Sequence, residues 1–523
     1  MSKSPRLVQL KITEFSKEGF GKGEWKPLEG QCQQVEVPFS MPGDEAIVRL
    51  LKKKGGIYKS QLVEWIHLSE DRVTPLCQHF GHCGGCRWQH IAYEDQLKQK
   101  EAWIHRYFEP FLQAETTCYP IIPSIPPWQY RNKMELSFSS DKGGHRYLGL
   151  ILHGTRGYVF QMQECHLMNK WGVEVVQAVS KWWENSGLDA YHMGSDKGAL
   201  RTLILREGQS TGDRMVMLTV SGNPAYALNQ KQIQDFKAVI LQIIGSPLPE
   251  SKLSIFLRIQ QIAKGQPTQF YEMHLYGPDH IRETLHIETE ENERHSLHFR
   301  ISPTAFFQPN TRQAEQLYSR AIQLTQAPSG GVIYDLYCGT GTLGICMAKR
   351  AKKVIGIELS PESSLDAREN VKLNQLSHVS IHTGDVGHLL PTLLEDQELR
   401  PDVVMVDPPR AGLDSRALQH LLAIKAPLLT YISCNPAAQA ANLEILTKGG
   451  AIDCEPYNQL INSLKPSTLR ILLCCQGIEN EYATGGSLLT EVPLIKFTLL
   501  LFHFFCCFHL FFCCFHLLQV KHQ

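Results

Sequence analysis

Between residues 331 and 436, three apolar, β-branched runs each stop abruptly in a loop bearing a charged or nucleophilic side chain. The first ends Asp335-Leu336-Tyr337-Cys338-Gly339-Thr340-Gly341 and the second Val404-Met405-Val406-Asp407-Pro408-Pro409-Arg410. The third ends Thr430-Tyr431-Ile432-Ser433-Cys434-Asn435-Pro436. Unbroken apolar runs of this length fit strands buried on both faces. Strands are expected at Val332 to Tyr337, Val354 to Leu359, and near Ser380, Val403 and Leu429. Helices are expected at Leu343 to Ala351 and Pro361 to Leu376, after a leading helix that ends near Leu324. This alternation predicts a doubly wound parallel sheet. In such sheets ligands and chemistry collect at the carboxyl ends of the strands, where all three tips lie.

The remainder of a 523-residue chain is too long for the same core, and three domains are expected. Residues 1–66 alternate apolar and polar in short runs punctuated by glycine, which suggests a five-stranded β-barrel of OB type. Such a barrel can hold single-stranded nucleic acid or serve as a structural module. Residues 67–300 form a central α+β region with strand signals at Met134 to Phe138, Tyr147 to Leu152, Leu200 to Leu205, Arg214 to Val220 and Ser254 to Gln260. Lys and Arg (52) balance Asp and Glu (52), so bulk charge neither argues for nor excludes a nucleic-acid partner. Lys52 to Lys54 and Lys349 to Lys353 are the local basic runs, and runs this short usually read as solvated faces.

Sixteen cysteines are irregularly spaced, and no secretory signal opens the chain. A reduced, cytoplasmic protein whose clustered cysteines bind metal is therefore expected. Cys77, Cys83 and Cys86 form C-x5-C-x2-C, with glycines that let the backbone wrap closely. Three thiolates are one short of a closed site, and Cys165 is chosen as the fourth over Cys118. Iron-sulfur and zinc both suit four thiolates. Iron-sulfur is favoured because zinc ribbons usually pair two C-x2-C knuckles.

The loop Asp335-x-x-x-Gly339-x-Gly341 lets backbone approach a ligand, and Glu358 at the next strand tip can accept both hydroxyls of a ribose. Asp385, one tip further, suits an adenine amino group. A third fingerprint glycine is lacking, so S-adenosyl-L-methionine fits better than NAD. Asp407-Pro408-Pro409-Arg410 is a rigid loop with few backbone donors. Amino-group methyltransferases carry an aromatic residue after this motif and need no thiol; here Arg410 replaces the aromatic and Cys434 stands on the next tip. A thiolate can add to C6 of uracil and make C5 nucleophilic enough to take a methyl group. A base must then remove the C5 proton before the thiolate leaves. Cys338 and Cys346 are assigned to the core.

These motifs, together with Tyr130-Arg131-Asn132-Lys133, Phe306-Phe307-Gln308-Pro309-Asn310 and Asp407 to Asp414, resemble the RNA (uracil-5-)-methyltransferases. The likeness is greatest to the 23S ribosomal RNA branch, which carries a TRAM barrel and a 4Fe-4S cluster, and it covers residues 1 to about 453. The resemblance implies that Cys77, Cys83, Cys86 and Cys165 hold the cluster. It places Gln308, Tyr337, Glu358 and Asp385 at the methyl-donor site, with Gly339, Gly341 and Thr342 from the loop. Asp407 would contact donor or uracil, and Cys434 would be the nucleophile. A 23S ribosomal RNA uridine would be flipped out as substrate, with transfer RNA as the alternative. The domains become a barrel at 1–66, a central cluster-bearing and RNA-binding domain at 67–300, and a methyltransferase domain at 301–455. No protein partner is implied, and a monomer is expected.

The family continues to a segment resembling D-x-F-P-x-T-x-H-x-E, whose glutamate is the base, but residues Gln459 to Ile471 read QLINSLKPSTLRI. One codon choice for them, read from its third base, translates as IDQFPQTLHIEN. This compatibility suggests a frameshift between about Ala451 and Gln459, with residues 456–523 translated out of frame. Phe497 to Val520 is long enough to span a bilayer. Its tandem FFCCFHL and its histidines at 503, 509 and 516 instead suggest translated low-complexity DNA, so a membrane anchor is not expected. An inactive RNA-binding relic is the alternative to an enzyme.

Overall fold

The computed structural model describes residues 6–447, except 29, 113–115, 156, 246–247, 263–267, 290–292, 326 and 425, together with the backbone of 468–476 and 497–504. The Gln459 to Ser467 part of the departing segment and residues 505–523 of the apolar tail lie outside these residues.

Strands β1 (Leu7–Phe15), β2 (Gly21–Trp25), β3 (Gln33–Val37), β4 (Glu45–Lys54) and β5 (Ile57–His67) close a barrel in the order β1-β2-β3-β5-β4. Val8, Leu10, Ile12, Val35, Val37, Ala46 and Val48 fill it, so alternate residues point inward as the period-2 pattern requires. Asp44 is fully buried and bonded to Arg72 through two oxygens (2.8 and 2.6 Å), which ties the barrel to the chain beyond it.

Helix α1 (Tyr93–Phe108) and strand β6 (Thr117–Ile122) come next. Ile104 and Phe108 pack on Leu443, so α1 buttresses the far end of the chain. β6 is the outer strand of the eight-stranded sheet, which explains how Pro120 is tolerated there. The central sheet contains β7 (Lys133–Ser140), β8 (Arg146–Gly149), β9 (Leu200–Glu207), β10 (Arg214–Ser221), β11 (Leu253–Gln261) and β12 (Gln269–Tyr276). Its order is β12-β11-β10-β9-β7-β8. Helices α2 (Lys170–Asn185) and α3 (Gln230–Ile240) pack on it through Val175, Val176, Val179, Trp183, Phe236 and Ile240. A hairpin, β13 (Ile281–Glu288) with β14 (Arg294–Ile301), then joins this region to the last domain.

The last domain opens with α4 (Thr311–Thr325) and continues β15 (Gly331–Leu336), α5 (Thr342–Met347), β16 (Ala351–Glu358), α6 (Pro361–Leu373) and β17 (Val379–Thr383). It is completed by α7 (Val386–Leu393), β18 (Val403–Val406), α8 (Ser415–Ile424), β19 (Leu428–Ser433) and α9 (Pro436–Thr447). Its strands run parallel in the order β17-β16-β15-β18-β19. The doubly wound sheet is therefore as expected, although α5 is shorter than the periodicity suggested. β20 (Thr468–Gln476) and β21 (Phe497–Phe504) extend the sheet beyond β19 in parallel register and meet β6. One core runs from Met215 and Phe256 of the central sheet through Ile281 and Phe299 to Ile333, Val403 and Ile432. Truncating one of these side chains to alanine costs about 2–5 kcal/mol in such settings. No helix among the described residues is long and apolar enough to cross a membrane.

Candidate active site

β15 lies between β16 and β18. The strand order reverses there, and the carboxyl ends on either side open into a crevice. The tips of β15, β16, β17, β18 and β19 lie along this edge. Tyr337, immediately after β15, is held at φ +65°, outside the range most side chains adopt, and Gly341 follows at φ +78°. A Cβ on Gly341 would stand 3.2 Å from Ala367 Cβ, so the loop lies close against α6 and only glycine suits both constraints. From the β16 tip, Glu358 accepts the Gly339 N–H at 2.9 Å and the Ser360 N–H at 2.8 Å. Each of its oxygens keeps a further lone pair for a diol. Asp385, past β17, caps α7 by accepting the His388 N–H at 3.1 Å. Thr342 is buried and its hydroxyl pairs with Thr340 (2.9 Å).

Cys434 follows β19 and is partly exposed at its tip. The tip is locked locally: Asn435 N–H donates to Ser433 Oγ (3.0 Å), and the Ser433 hydroxyl donates to the Asn435 carbonyl (3.1 Å). Asn435 Nδ2 then donates to the Arg410 carbonyl at 2.9 Å. The thiol tip and the Asp407-Pro408-Pro409-Arg410 loop are thereby fixed to each other. Beneath both lies Tyr431, fully buried, its hydroxyl donating to Asn442 at 2.8 Å. Burial pushes that phenol's pKa up. Burial likewise raises Asp407 to about 7, and raises Asp335 to about 7 with help from Asp407 and Glu358.

Asp407 carries a measurable consequence. Its folded pKa stands above the unfolded value of about 4, so the folded state holds the proton more tightly. The resulting stability is complete below about pH 4 and is lost as pH rises through about 7. Asp407→Asn should therefore melt above the wild type at pH 8, with the gap closing toward pH 4. Thermal denaturation at both pH values checks this, and a gap independent of pH would refute it.

The Gln308 loop is anchored to the central sheet. Asn132 N–H donates to the Pro309 carbonyl (2.9 Å), and its Nδ2 donates to Gln308 O (2.8 Å) and Thr311 Oγ1 (3.0 Å). Gln308 is buried whereas Phe306 is 60% exposed.

Elsewhere, Cys77, Cys83, Cys86 and Cys165 line one pocket with His79, Phe160 and Met162. Cys118 is exposed on β6 and is not among the residues lining it. Burial raises Cys77 and Cys165 to about 11, and neighbouring sulfurs contribute to both shifts. No group of three or more His, Cys, Asp and Glu side chains among the described residues is arranged to hold a single metal ion.

An RNA methyltransferase of Protochlamydia amoebophila is 59% identical over 416 residues, which span 80% of this chain and 94% of that relative. The chain belongs to the RNA (uracil-5-)-methyltransferases. A family model described as tRNA (uracil-5-)-methyltransferase matches residues 251–460 of this RNA (uracil-5-)-methyltransferase. A further RNA methyltransferase, from Caldanaerobacter subterraneus, is 30% identical across 88% of this chain and 99% of its own length. Among solved structures, the Pyrococcus abyssi tRNA (uracil-54, C5)-methyltransferase in complex with S-adenosyl-L-homocysteine superposes with a TM-score of 0.62 at 25% identity. That likeness covers 84% of this chain and 92% of the other. The methyl donor of the family is S-adenosyl-L-methionine.

Sequence reasoning named the tips but not what joins them. Tyr431, Asn435 and Asn442 form the platform under Cys434, and their residue types alone gave no signal of it.

Proposed function

We propose that this chain uses Cys434 to add to C6 of a uridine in 23S ribosomal RNA, so that C5 takes a methyl group. The observation that carries the reading is that the Cys434 tip of β19 is tied to the Asp407-Pro408-Pro409-Arg410 loop by the Asn435–Arg410 hydrogen bond, at the carboxyl ends of adjacent parallel strands β15, β18 and β19. The donor would supply an electrophilic methyl group, held by Gln308, Tyr337, Glu358, Asp385 and the Gly339-to-Thr342 loop. Asp407, with its pKa near neutrality, can carry a proton and hydrogen-bond the uracil edge or the donor. Tyr337 and the exposed Phe306 ring offer faces for a flipped base.

Cys77, Cys83, Cys86 and Cys165 would hold a 4Fe-4S cluster. Four thiolates gathered in one pocket need a cation to ionise together. The cluster's contribution would be structural, because the proposed chemistry moves no electrons. Protein purified without oxygen should carry iron and acid-labile sulfide, and Cys83→Ser should lose both. Retention of both by Cys83→Ser would exclude this ligand set.

A transfer RNA substrate is the second reading. It is favoured by the Pyrococcus structure, whose likeness to 84% of this chain reaches well beyond the catalytic sheet. RNA transcribed with 5-fluorouridine separates the two, because fluorine at C5 blocks elimination and leaves the protein joined to its substrate. The expected result is a denaturation-resistant adduct with 23S ribosomal RNA. Adduct formation with transfer RNA alone would overturn the ribosomal assignment. The protein is read as monomeric and cytoplasmic.

A further inference from the structure

The loop from Ser302 to Gln308 carries two side chains assigned above to the pocket, yet only part of its anchorage comes from the Asn132 contacts already described. Arg206 supplies another part. It lies on β9, opposite Lys133 of β7, and is 3% exposed. One guanidinium nitrogen donates to the Ser302 carbonyl at 3.0 Å and to the Ala305 carbonyl at 2.8 Å, with the Pro303 carbonyl at 3.4 Å. Three carbonyls of one turn thus point at a single cation. A buried charge is costly unless its hydrogen bonds are satisfied, so an interior arginine needs a reason to persist.

The same turn is gripped from the opposite side. Asp366 on α6 is 2% exposed and accepts the Ser302 N–H at 2.9 Å. One turn on, Asn370 is fully buried: it accepts the Arg300 N–H (2.7 Å) and donates to the Thr340 carbonyl (3.0 Å). Thr340 belongs to the loop between Gly339 and Gly341. Helix α6 itself begins three residues after Glu358. The turn therefore sits between the central sheet and the helix that also supports the donor loop. Arg206 is the member of this set that comes from the central sheet.

We propose that Arg206 is a positioning residue for methyl transfer, fixing the Ser302–Ala305 turn so that Phe306 and Gln308 present correctly to the uridine and the methyl donor. The proposal rests on the reading of the Cys434 pocket given above. The charge suits the role, because hydrogen bonds from a guanidinium are stronger than neutral ones. All three contacts come from one nitrogen, so a lysine ammonium, with three N–H on one atom, could meet them in part if it reaches the turn.

The test uses the full chain with 5-fluorouridine 23S ribosomal RNA, 5-fluorouridine transfer RNA in parallel, and S-adenosyl-L-methionine. The readout is the rate of covalent adduct formation as a function of donor concentration. It requires no proton abstraction from C5 and so is independent of the C-terminal segment. Arg206→Gln should lower the adduct rate at saturating donor by about 100-fold, the scale of a 1 Å misplacement. Arg206→Lys should recover part of that loss. A merely structural role would lower the melting temperature and leave the saturating rate of the folded fraction unchanged. If Arg206→Gln does not fold, Asp366→Ala removes the opposing anchor and should give a loss in the same rate. A folded Arg206→Gln or Asp366→Ala that matches wild type at saturating donor overturns the proposal while leaving Cys434 as nucleophile. A wild-type chain that forms no adduct with either RNA overturns the pocket reading itself.

Discussion

Cys434→Ala is expected to lose all covalent capture of 5-fluorouridine RNA while binding S-adenosyl-L-homocysteine as the wild type does. C5 of uracil is a poor nucleophile until something adds at C6, and Cys434 is the partly exposed thiol at the β19 tip. Cys338 and Cys346, the other cysteines of this domain whose side chains are described, are buried, and burial holds both thiols well above their ordinary range. Neither can reach a base placed between the β15 and β19 tips as a ready thiolate. The loss in rate should be at least roughly a thousandfold, as when a nucleophile that works in concert with its partners is removed. Donor binding should survive because Cys434 sits on the β19 tip while Glu358 and the glycine loop belong to β16 and β15. A simultaneous collapse of donor affinity would mean that the thiol supports the fold, not the chemistry. Adduct formation by Cys434→Ala would exclude it as the nucleophile outright.

The contrast between what the residues announced and what they concealed has physical causes. Parallel strands buried on both faces must be nearly all apolar, so β15, β18 and β19 stand out, and a polar residue at each end marks a tip. β2 gave no such signal because it reads Gly-Lys-Gly-Glu-Trp. Its glycines are there for closeness: a Cβ on Gly21 would meet Ser40 Oγ at 2.0 Å, and one on Gly23 the Lys11 carbonyl at 2.3 Å. Propensity argues against a strand there, and barrel closure overrides it. β12 was missed for a different reason: it is the outer strand of the central sheet, largely exposed, and lacks a clean inside-outside alternation. Arg206 is the hardest case. Nothing in Leu200–Glu207 distinguishes an arginine that snorkels to water from one that turns inward onto three carbonyls. That distinction depends on a turn about a hundred residues later, which no local pattern encodes.

The largest gain should come from restoring the reading frame after Ala451. The mechanism needs a base to take the C5 proton, and such a group contributes typically 10²–10⁴-fold. In the present frame β20 reads Thr-Leu-Arg-Ile-Leu-Leu-Cys-Cys-Gln and lies beside β19, with Leu473 opposite Ser433. No carboxylate or imidazole belongs to that strand, so none is offered where the ladder reaches the Cys434 tip. The family match independently stops at residue 460, beside the point where the sequence departs. A chain re-engineered to continue as IDQFPQTLHIEN should therefore convert unmodified RNA over many cycles. The present chain should stop after adding to C6 and transferring one methyl group per protein. Counting labelled methyl groups per protein against time distinguishes them: a plateau at one or below for the present chain, and a sustained slope for the restored one. If the genomic codons across 445–475 cannot yield that frame, or if the present chain already turns over repeatedly, the frameshift reading fails and the base must be sought among the residues of the crevice, where Asp407 and Asp335 both titrate near neutrality.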